Sequence, residues 1–215
     1  MRSGRRRRKG FTGLEAAIVL TAFVVVAAVF SYVVLNAGFF TTQKSKEVVH
    51  TGVEQATSSI ELTGDVVGYG WTYNSTAERY ENTLGTNLTV VKFYLELTAG
   101  QNPMDMDGLV VSYTDKDTHV GNLTYNASAT GTSMTGSTLG MKMGEWHYSI
   151  ITTAGYGDND NLLERGEKAE ITVTLPDYGV TTDEQFIIEV KPASGATISI
   201  TRSAPSSIDK VMNLH

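Results

Sequence analysis

Five oxygen-bearing side chains that could bind a metal ion crowd one short stretch of the sequence. They are Asp158, Asp160, Asn161, Glu164 and Glu167, within the segment GYGDNDNLLERGEKAEITV at 155–173. Carboxylate and amide oxygens at such spacing suit a hard cation such as Ca²⁺. The segment lacks the glycine and final glutamate of an EF-hand loop, so we expect a structural ion rather than a sensor site. The alternative is a solvated turn whose charges form surface pairs of little value.

Four Asn-x-Ser/Thr sequons offer a second kind of chemistry, the attachment of N-linked glycans. Their acceptor residues are Asn74, Asn87, Asn122 and Asn126. All four lie beyond the long apolar segment at 16–35, in the part of the chain that we predict to be exported, which favours glycosylation. Because Asn87 falls within a predicted strand, its exposure is left open.

Catalytic patterns are missing from the sequence. His50, His119, His147 and His215 are widely separated and form no pair with metal-ligand spacing. The absence of cysteine excludes a disulfide framework, a thiolate metal site and a cysteine nucleophile. Since neither a nucleophile elbow nor a P-loop occurs, we expect no enzymatic activity.

The elements that must position these residues are β-strands. Beyond Gly64, short apolar or alternating runs are separated by Gly, Asn, Asp and Pro, a pattern typical of an all-β domain. The predicted strands lie at 86–97, 108–113, 145–153, 169–175, 184–190 and 196–202. Their length and spacing predict two packed sheets in an immunoglobulin-like sandwich without its disulfide.

Other residues of this β-domain have structural interpretations. Trp71, Tyr73, Trp146 and Tyr148 are assigned to the core and strand faces rather than to a base-stacking platform. The small, polar, Gly-punctuated stretch at 128–140 predicts an exposed loop.

The amino-terminal third is dominated by a long apolar segment. Residues 16–35, AAIVLTAFVVVAAVFSYVVL, have the length that crosses a hydrocarbon core as a helix. Six Arg and Lys side chains precede it, whereas only Lys44 and Lys46, offset by Glu47, follow closely. This asymmetry predicts a cytoplasmic amino terminus and an exported remainder.

Charge argues against nucleic-acid binding. Without the six cations of residues 1–10, Lys and Arg fall from 17 to 11 against 23 Asp and Glu, and the formal charge moves from −6 to −12. Such an acidic domain repels nucleic acid, so the basic run needs another role.

The helix is predicted to continue beyond the membrane segment. Val49, Val53, Ala56 and Ile60 recur at helical spacing, and Gly64 follows as a stop signal. A helix from about residue 12 to 60 is on the order of 70 Å long at ~1.5 Å per residue, locally weakened at Gly38 and Gly52. Being apolar on every side, it must be buried by lipid or by copies of itself.

The residues around the start of this helix carry a family resemblance. The run RRRRKG ends at Gly10 and is followed by Phe11, Glu15 and the apolar helix, which resembles the class III signal of type IV pilins and archaeal flagellins. The continuation YVVLNAGFFTTQKSKEVVHTGVEQATSSIEL is similar to archaeal flagellins in particular. The resemblance covers about residues 5–62, and the rest of the chain more weakly.

The resemblance implies a processed, assembling subunit. A prepilin-type leader peptidase would cut between Gly10 and Phe11, giving a leader at 1–10, an assembly helix at 11–62 and an extracellular β-sandwich at 63–215. By carry-over from pilins, Glu15 would pair with the new α-amino group of Phe11 on a neighbouring subunit. The alternative is that Glu15 offsets the helix dipole from the first turn.

The expected fold is therefore α+β, a long hydrophobic helix followed by an all-β head, and the implied function is that of a structural subunit of the archaellum filament. Implied partners are identical subunits, other flagellins, a membrane assembly platform with its ATPase, and the membrane before assembly. The acidic segment also resembles the acidic loop of archaeal flagellin heads. Two alternatives stay open, an adhesive archaeal type IV pilin and a membrane-anchored binding or enzyme domain.

Overall fold

The first element of the computed structural model is the helix α1 (Gly13–Thr57), 45 residues long. The structure describes residues 13–57, 59–98, 102–130, 132, 134, 136–152 and 160–214, and for 54–57 it describes the backbone alone. The chain divides into two units, residues 1–51 and 52–215. The helix runs uninterrupted through Gly38 and Gly52, where an added Cβ would meet nothing within 4 Å.

The helix ends earlier than its apolar pattern predicts. Ile60 begins the first strand instead, where it pairs with Leu97 and is 6% exposed. Gly64 lies inside that strand at φ 73°, within an irregularity of the pairing between Thr63 and Val67, and so does not stop the helix. The spacing placed Ile60 on a helical stripe, but burial in the β-domain core decides its conformation. The predicted boundary at residue 62 is displaced accordingly.

Fifteen strands follow within the described residues. They are β1 (Ile60–Tyr69), β2 (Trp71–Asn74), β3 (Arg79–Leu84), β4 (Val90–Leu97), β5 (Met104–Asp105), β6 (Val110–Thr114), β7 (His119–Val120), β8 (Thr124–Tyr125), β9 (Thr138–Leu139), β10 (Glu145–Thr152), β11 (Leu162–Leu163), β12 (Glu167–Thr174), β13 (Gln185–Lys191), β14 (Ile198–Ser203) and β15 (Met212–Leu214). All six predicted strands are present, since they correspond to β4, β6, β10, β12, β13 and β14.

The strands form the predicted sandwich. A six-stranded sheet has the order β15-β1-β4-β12-β10-β8, and a four-stranded sheet has the order β14-β13-β6-β7. Alternate residues of β4, such as Phe93 and Leu95, share one buried cluster with Val111 of β6 and Ile188 of β13. The main core therefore lies between these two sheets, as period-two alternation requires.

A third sheet, β2-β3-β9, encloses a second core cluster. Trp71, Tyr80, Leu139 and Met134 are all buried there. The prediction of an exposed loop at 128–140 is correct for residues 128, 130, 136 and 137, which are exposed, and wrong for its apolar residues. Its two large apolar residues, Met134 and Leu139, are drawn into the cluster, and β9 forms around the second of them.

Candidate assembly surface

Among the described residues, the largest unburied apolar surface belongs to α1. Every residue from 13 to 53 is exposed in the single chain, including Phe23 at 75% and Phe30 at 69%. The most apolar stretch of 18 residues has a mean hydropathy of 2.8, and none of it is buried. Contiguous apolar surface on this scale marks a site that another molecule or a membrane must cover.

This surface surrounds the helix rather than forming one face. The successive residues Val24, Val25 and Val26 are 60%, 61% and 68% exposed. Because neighbouring helical side chains project about 100° apart, three in a row cover most of the circumference. A helix of this kind needs apolar neighbours on all sides, which lipid or a bundle of like helices supplies.

Threonine hydroxyl groups within α1 donate hydrogen bonds to the backbone of the same helix. Thr21 Oγ1 donates to the carbonyl of Ala17 at 3.0 Å, and Thr42 Oγ1 donates to the carbonyl of Gly38 at 2.8 Å. A hydroxyl bonded in this way presents its methyl group outward and needs no partner in an apolar environment. These threonines therefore do not interrupt the apolar surface.

Charges flank the apolar stretch. Glu15 lies in the first turn of α1, where backbone N–H groups are unpaired within the helix and the dipole favours a carboxylate. Lys44 and Glu47 form an exposed pair at 2.6 Å one turn apart, which contributes little to stability. Gly10 and Phe11 lie outside the described residues, so the predicted cleavage site and its pairing with Glu15 stay predictions.

One of the four sequons, at Asn122, lies open in the β-domain. Asn122 is exposed in the turn before β8, and the hydroxyl-bearing Thr124 is exposed as well. Asn74 ends β2, where its Nδ2, the atom that a glycan would occupy, donates to Glu81 Oε1 at 2.9 Å, although the Thr76 of its sequon is exposed. The Asn122 geometry leaves room for a glycan, whereas a glycan at Asn74 would have to replace the hydrogen bond to Glu81.

The remaining two sequons are likewise engaged by the fold. Asn126 Nδ2 donates to Glu145 Oε2 at 2.7 Å, and Asn87 Nδ2 donates to the carbonyl of Tyr178 at 3.2 Å. In the Asn87 sequon, the required hydroxyl belongs to Thr89, which is 5% exposed and donates to the carbonyl of Trp71 at 2.7 Å. Modification of Asn87 would have to precede folding.

The described part of the acidic segment contains β11, which pairs with β5. Asp160 Oδ1 accepts from the backbone of Leu162 at 2.7 Å. Glu167 is 3% exposed, and its carboxylate accepts from the backbone of Glu164 at 2.9 Å, so it holds the turn that leads into β12. Asp158 lies outside the described residues. Among those that are described, no group of three His, Asp or Glu side chains could hold a metal ion.

Asp107, which no sequence pattern indicated, joins this loop to the sandwich. Its carboxylate accepts from Asn161 Nδ2 and from the Tyr148 hydroxyl, both at 2.7 Å. Burial and this hydrogen bond raise the pKa of Tyr148, so it remains a protonated donor. Asp107 precedes its partners by more than forty positions, and no local pattern connects them.

Comparison with known proteins places the apolar helix and the β-domain together in one family. The model of archaeal-type flagellins matches residues 10–202. Probable flagellin 1 of Archaeoglobus fulgidus is 46% identical over 214 residues, which cover 97% of this chain and 96% of that protein. The solved archaeal flagellum of Methanospirillum hungatei strain JF1 is 33% identical with a TM-score of 0.65, covering 95% of this chain and 99% of its own. Flagellin FlaB1 of Methanocaldococcus jannaschii shares the fold. It is 15% identical with a TM-score of 0.53, and the match covers 73% of this chain and 96% of that chain.

Proposed function

This chain belongs to the archaeal-type flagellin family and is a structural subunit of the archaellum filament, and from that premise we propose how it is processed, exported and assembled. The family is one of structural proteins, and the chain itself is proposed to perform no chemistry. Its filament partner is a further copy of the same chain. The adhesive-pilin alternative is not favoured, because the relatives are flagellins.

Assembly through α1 is supported by one observation, the apolar surface that surrounds this helix. An isolated subunit would expose this surface to water. All described side chains of the apolar stretch are exposed on every side of the helix. Burying some twenty of them stabilises the polymer by an upper bound of tens of kcal/mol, at ~1.5 to 3 kcal/mol each. Lipid provides an equally apolar environment before assembly, so transfer to the filament gains little hydrophobic energy and depends on packing and external work.

Export and processing complete the proposal. The basic residues before α1 keep the amino terminus cytoplasmic, and the β-domain emerges outside the cell. A prepilin-type peptidase removes residues 1–10, and an assembly platform with its ATPase inserts the remaining subunit into the filament, where other flagellins co-assemble. N-linked glycans are placed first at Asn122, whose acceptor site is open.

Purified surface filaments test this proposal through the amino terminus and mass of their major protein. We expect Phe11 as the first residue and a mass excess located at the sequons. A protein that begins at Met1, or beyond residue 35, would remove the leader argument in favour of a signal anchor or an ordinary secreted domain. Absence of this chain from the filaments would contradict assembly itself.

Glu15→Ala is expected to block assembly while leaving membrane insertion intact. If Glu15 pairs with the α-amino group of a neighbour, its loss leaves a buried charge unpaired, which is strongly unfavourable. Filament protein sheared from cells should fall at least about tenfold, whereas the amount of subunit in the membrane stays unchanged. Glu15→Asp is the control that keeps the charge. Normal filaments from the alanine variant would favour the helix-dipole role, worth about 0.3–1 kcal/mol.

Removal of Ca²⁺ is expected to lower the melting temperature of the β-domain if the acidic segment binds a structural ion. The proposal rests on Asp158 joining Asp160, Asn161 and Glu164 as oxygen ligands. An ion present at about 100 times its Kd adds about 2.7 kcal/mol, or roughly 5 to 10 °C in a chain of this size. Thermal unfolding before and after chelation measures the shift, and Asp160→Asn should abolish it. An unchanged midpoint after verified ion removal would reject the site.

A further inference from the structure

Two polar side chains of α1 have no hydrogen-bond partner in the part of the chain that the structure describes. Tyr32 is 68% exposed, and Asn36 is exposed as well, yet no hydrogen bond there involves the phenol hydroxyl or the side-chain amide. Both residues lie in the uncharged run at 16–43. A bundle of like helices would enclose them among apolar side chains, where an unpaired polar group is costly.

The threonines of the same run need no such partner. Thr21, Thr41 and Thr42 donate to backbone carbonyls of α1 at 3.0, 2.8 and 2.8 Å. Serine has an equally short hydroxyl, so Ser31 can turn to a carbonyl of its own helix in the same way. A primary amide brings two donors and an acceptor, which one carbonyl cannot satisfy, and the ring of a tyrosine holds its hydroxyl away from the backbone. Tyr32 and Asn36 therefore call for a partner outside α1.

Tyr32 and Asn36 share one face of the helix. They are four residues apart, so both project from one side, with about 6 Å between their Cα atoms along the helix axis. Val29 and Phe39, each seven positions from one member of the pair, flank them on the same face and are 58% and 64% exposed. The structure contains no bond between Tyr32 and Asn36 themselves. Between 29 and 39 this face is therefore apolar except for one pair of hydrogen-bonding groups.

A second copy of the chain supplies the matching chemistry, an inference that rests on the proposed assembly through α1. Lipid tails and apolar side chains offer no hydrogen-bonding group, whereas each identical helix brings one phenol and one amide. When parallel helices surround a common axis, the face turned toward that axis meets the same face of its neighbours, as at the a and d positions of a coiled coil. Contacts in an open polymer are head-to-tail, so different residues of the two copies meet.

We propose that the face carrying Tyr32 and Asn36 is turned toward the axis of the helix bundle, that the Tyr32 hydroxyl of one subunit donates to the side-chain carbonyl of Asn36 on its neighbour, and that this bond sets the axial register of adjacent helices. In any other register a phenol and an amide stay unpaired, whereas apolar side chains slide past one another at little cost. A single buried asparagine fixes the register of coiled coils in the same way. The pair therefore gives an otherwise apolar face one preferred position.

Before assembly the same pair is compatible with the membrane. The apolar segment at 16–35 is about 30 Å long as a helix, the thickness of a hydrocarbon core. Tyr32 and Asn36 therefore lie at its outer end, where water and lipid head groups hydrogen-bond to them and where tyrosine is enriched. Substitutions of the pair should affect the polymer and leave membrane insertion unchanged.

Dissociation of purified filaments in mild detergent tests the pairing. Tyr32→Phe removes only the hydroxyl, and Asn36→Leu replaces the amide with an apolar group of similar volume, so each variant leaves its partner unpaired. Each should speed dissociation at least about tenfold, equivalent to about 1.4 kcal/mol. The double variant removes both groups and should recover most of the difference. Thr42→Val, which deletes a hydroxyl already bonded within α1, is the matched control and should dissociate at the original rate.

Cross-linking separates a bond between subunits from a bond within one helix. The chain contains no cysteine, so Tyr32→Cys subunits and Asn36→Cys subunits are co-assembled and treated with a short bifunctional thiol reagent. We expect dimers whose peptides join positions 32 and 36. Val34→Cys combined with Asn36→Cys is the control and should give far fewer dimers, because Val34 projects from the opposite side of α1.

Three results would overturn the proposal. They are single variants that dissociate at the original rate, losses that simply add in the double variant, and filaments that give no cross-link between positions 32 and 36. If a single variant forms no filaments, filaments from the double variant support the pairing and their absence contradicts it. Filaments of the unsubstituted chain are scored separately, so a failure of the pairing leaves the assembly function untouched.

Discussion

Val25→Lys is expected to abolish archaellum filaments. Val25 lies in the middle of the apolar stretch and is 61% exposed in the isolated chain, so neighbouring helices must bury it in the polymer. An unpaired ammonium in a dry helix bundle costs several kcal/mol, and every subunit of the filament would repeat that cost. Insertion into a bilayer is less affected, since a lysine at the centre of a membrane helix costs about 2.5–3.5 kcal/mol on translocon scales and the surrounding apolar residues offset it.

The measurement compares sheared filament protein with subunit in the membrane fraction, and cells are scored for swimming. We expect subunit in the membrane, no filaments and no motility. Val25→Leu, which preserves apolar character, is the matched control and should assemble normally. Filaments of ordinary length from the lysine variant would mean that this part of α1 faces water in the polymer, contrary to the proposed assembly.

Glu170→Ala should destabilise the β-domain by about 3–5 kcal/mol, because it leaves a buried lysine without its counter-ion. Lys92 Nζ lies 2.7 Å from Glu170 Oε1, and their side chains are 5% and 13% exposed. The same ammonium donates to the carbonyl of Thr132 at 2.6 Å. Tyr94 donates to the other oxygen of Glu170 at 3.0 Å, and burial together with this bond raises the pKa of Tyr94 to about 12.

Urea unfolding of the detergent-solubilised subunit checks this value. The neighbouring pair of Lys168 and Glu96, 3.5 Å apart with side chains 50% and 33% exposed, offers a control of the same chemistry. Glu96→Ala should cost no more than about 1 kcal/mol. The double variant Lys92→Met with Glu170→Leu should recover most of the lost stability, since it removes both charges together. Equal losses from Glu170→Ala and Glu96→Ala would show that burial of the first pair carries no energetic weight.

Sequence patterns were most informative where one local period governs a long segment. The uncharged run at 16–43 predicts α1, and alternation in segments such as 169–175 predicts β12, because the same side chains that set the pattern also make the contacts. The helix end could not be placed in this way. The stripe through Ile60 suits a helix, while pairing with Leu97 and burial in the sandwich require a strand.

Features that depend on distant partners were beyond local reasoning. Lys92 is 4% exposed and bonded to the carbonyl of Thr132, although its place in β4 marks it only as a polar position on an alternating strand. Thr89 completes a sequon, yet the fold commits its hydroxyl to the backbone of Trp71. The left-handed turn at Tyr178 is only partly signalled by the sequence, since Asp177 and Gly179 are of types that favour such a conformation whereas Tyr178, at φ 63°, is not.

The position of β1 has a mechanical consequence for a filament that transmits torque. The chain leaves α1 and enters the β-domain through β1, so tension along the chain reaches this strand first. Its irregularity divides the ladder with β4 into a block at 60–63 and a block at 67–69, and β15 secures only the second from the other side. We therefore expect the first block to separate from β4 under high tension and to pair again afterwards. The second block is hydrogen-bonded to a strand on each side, so it keeps the rest of the domain intact.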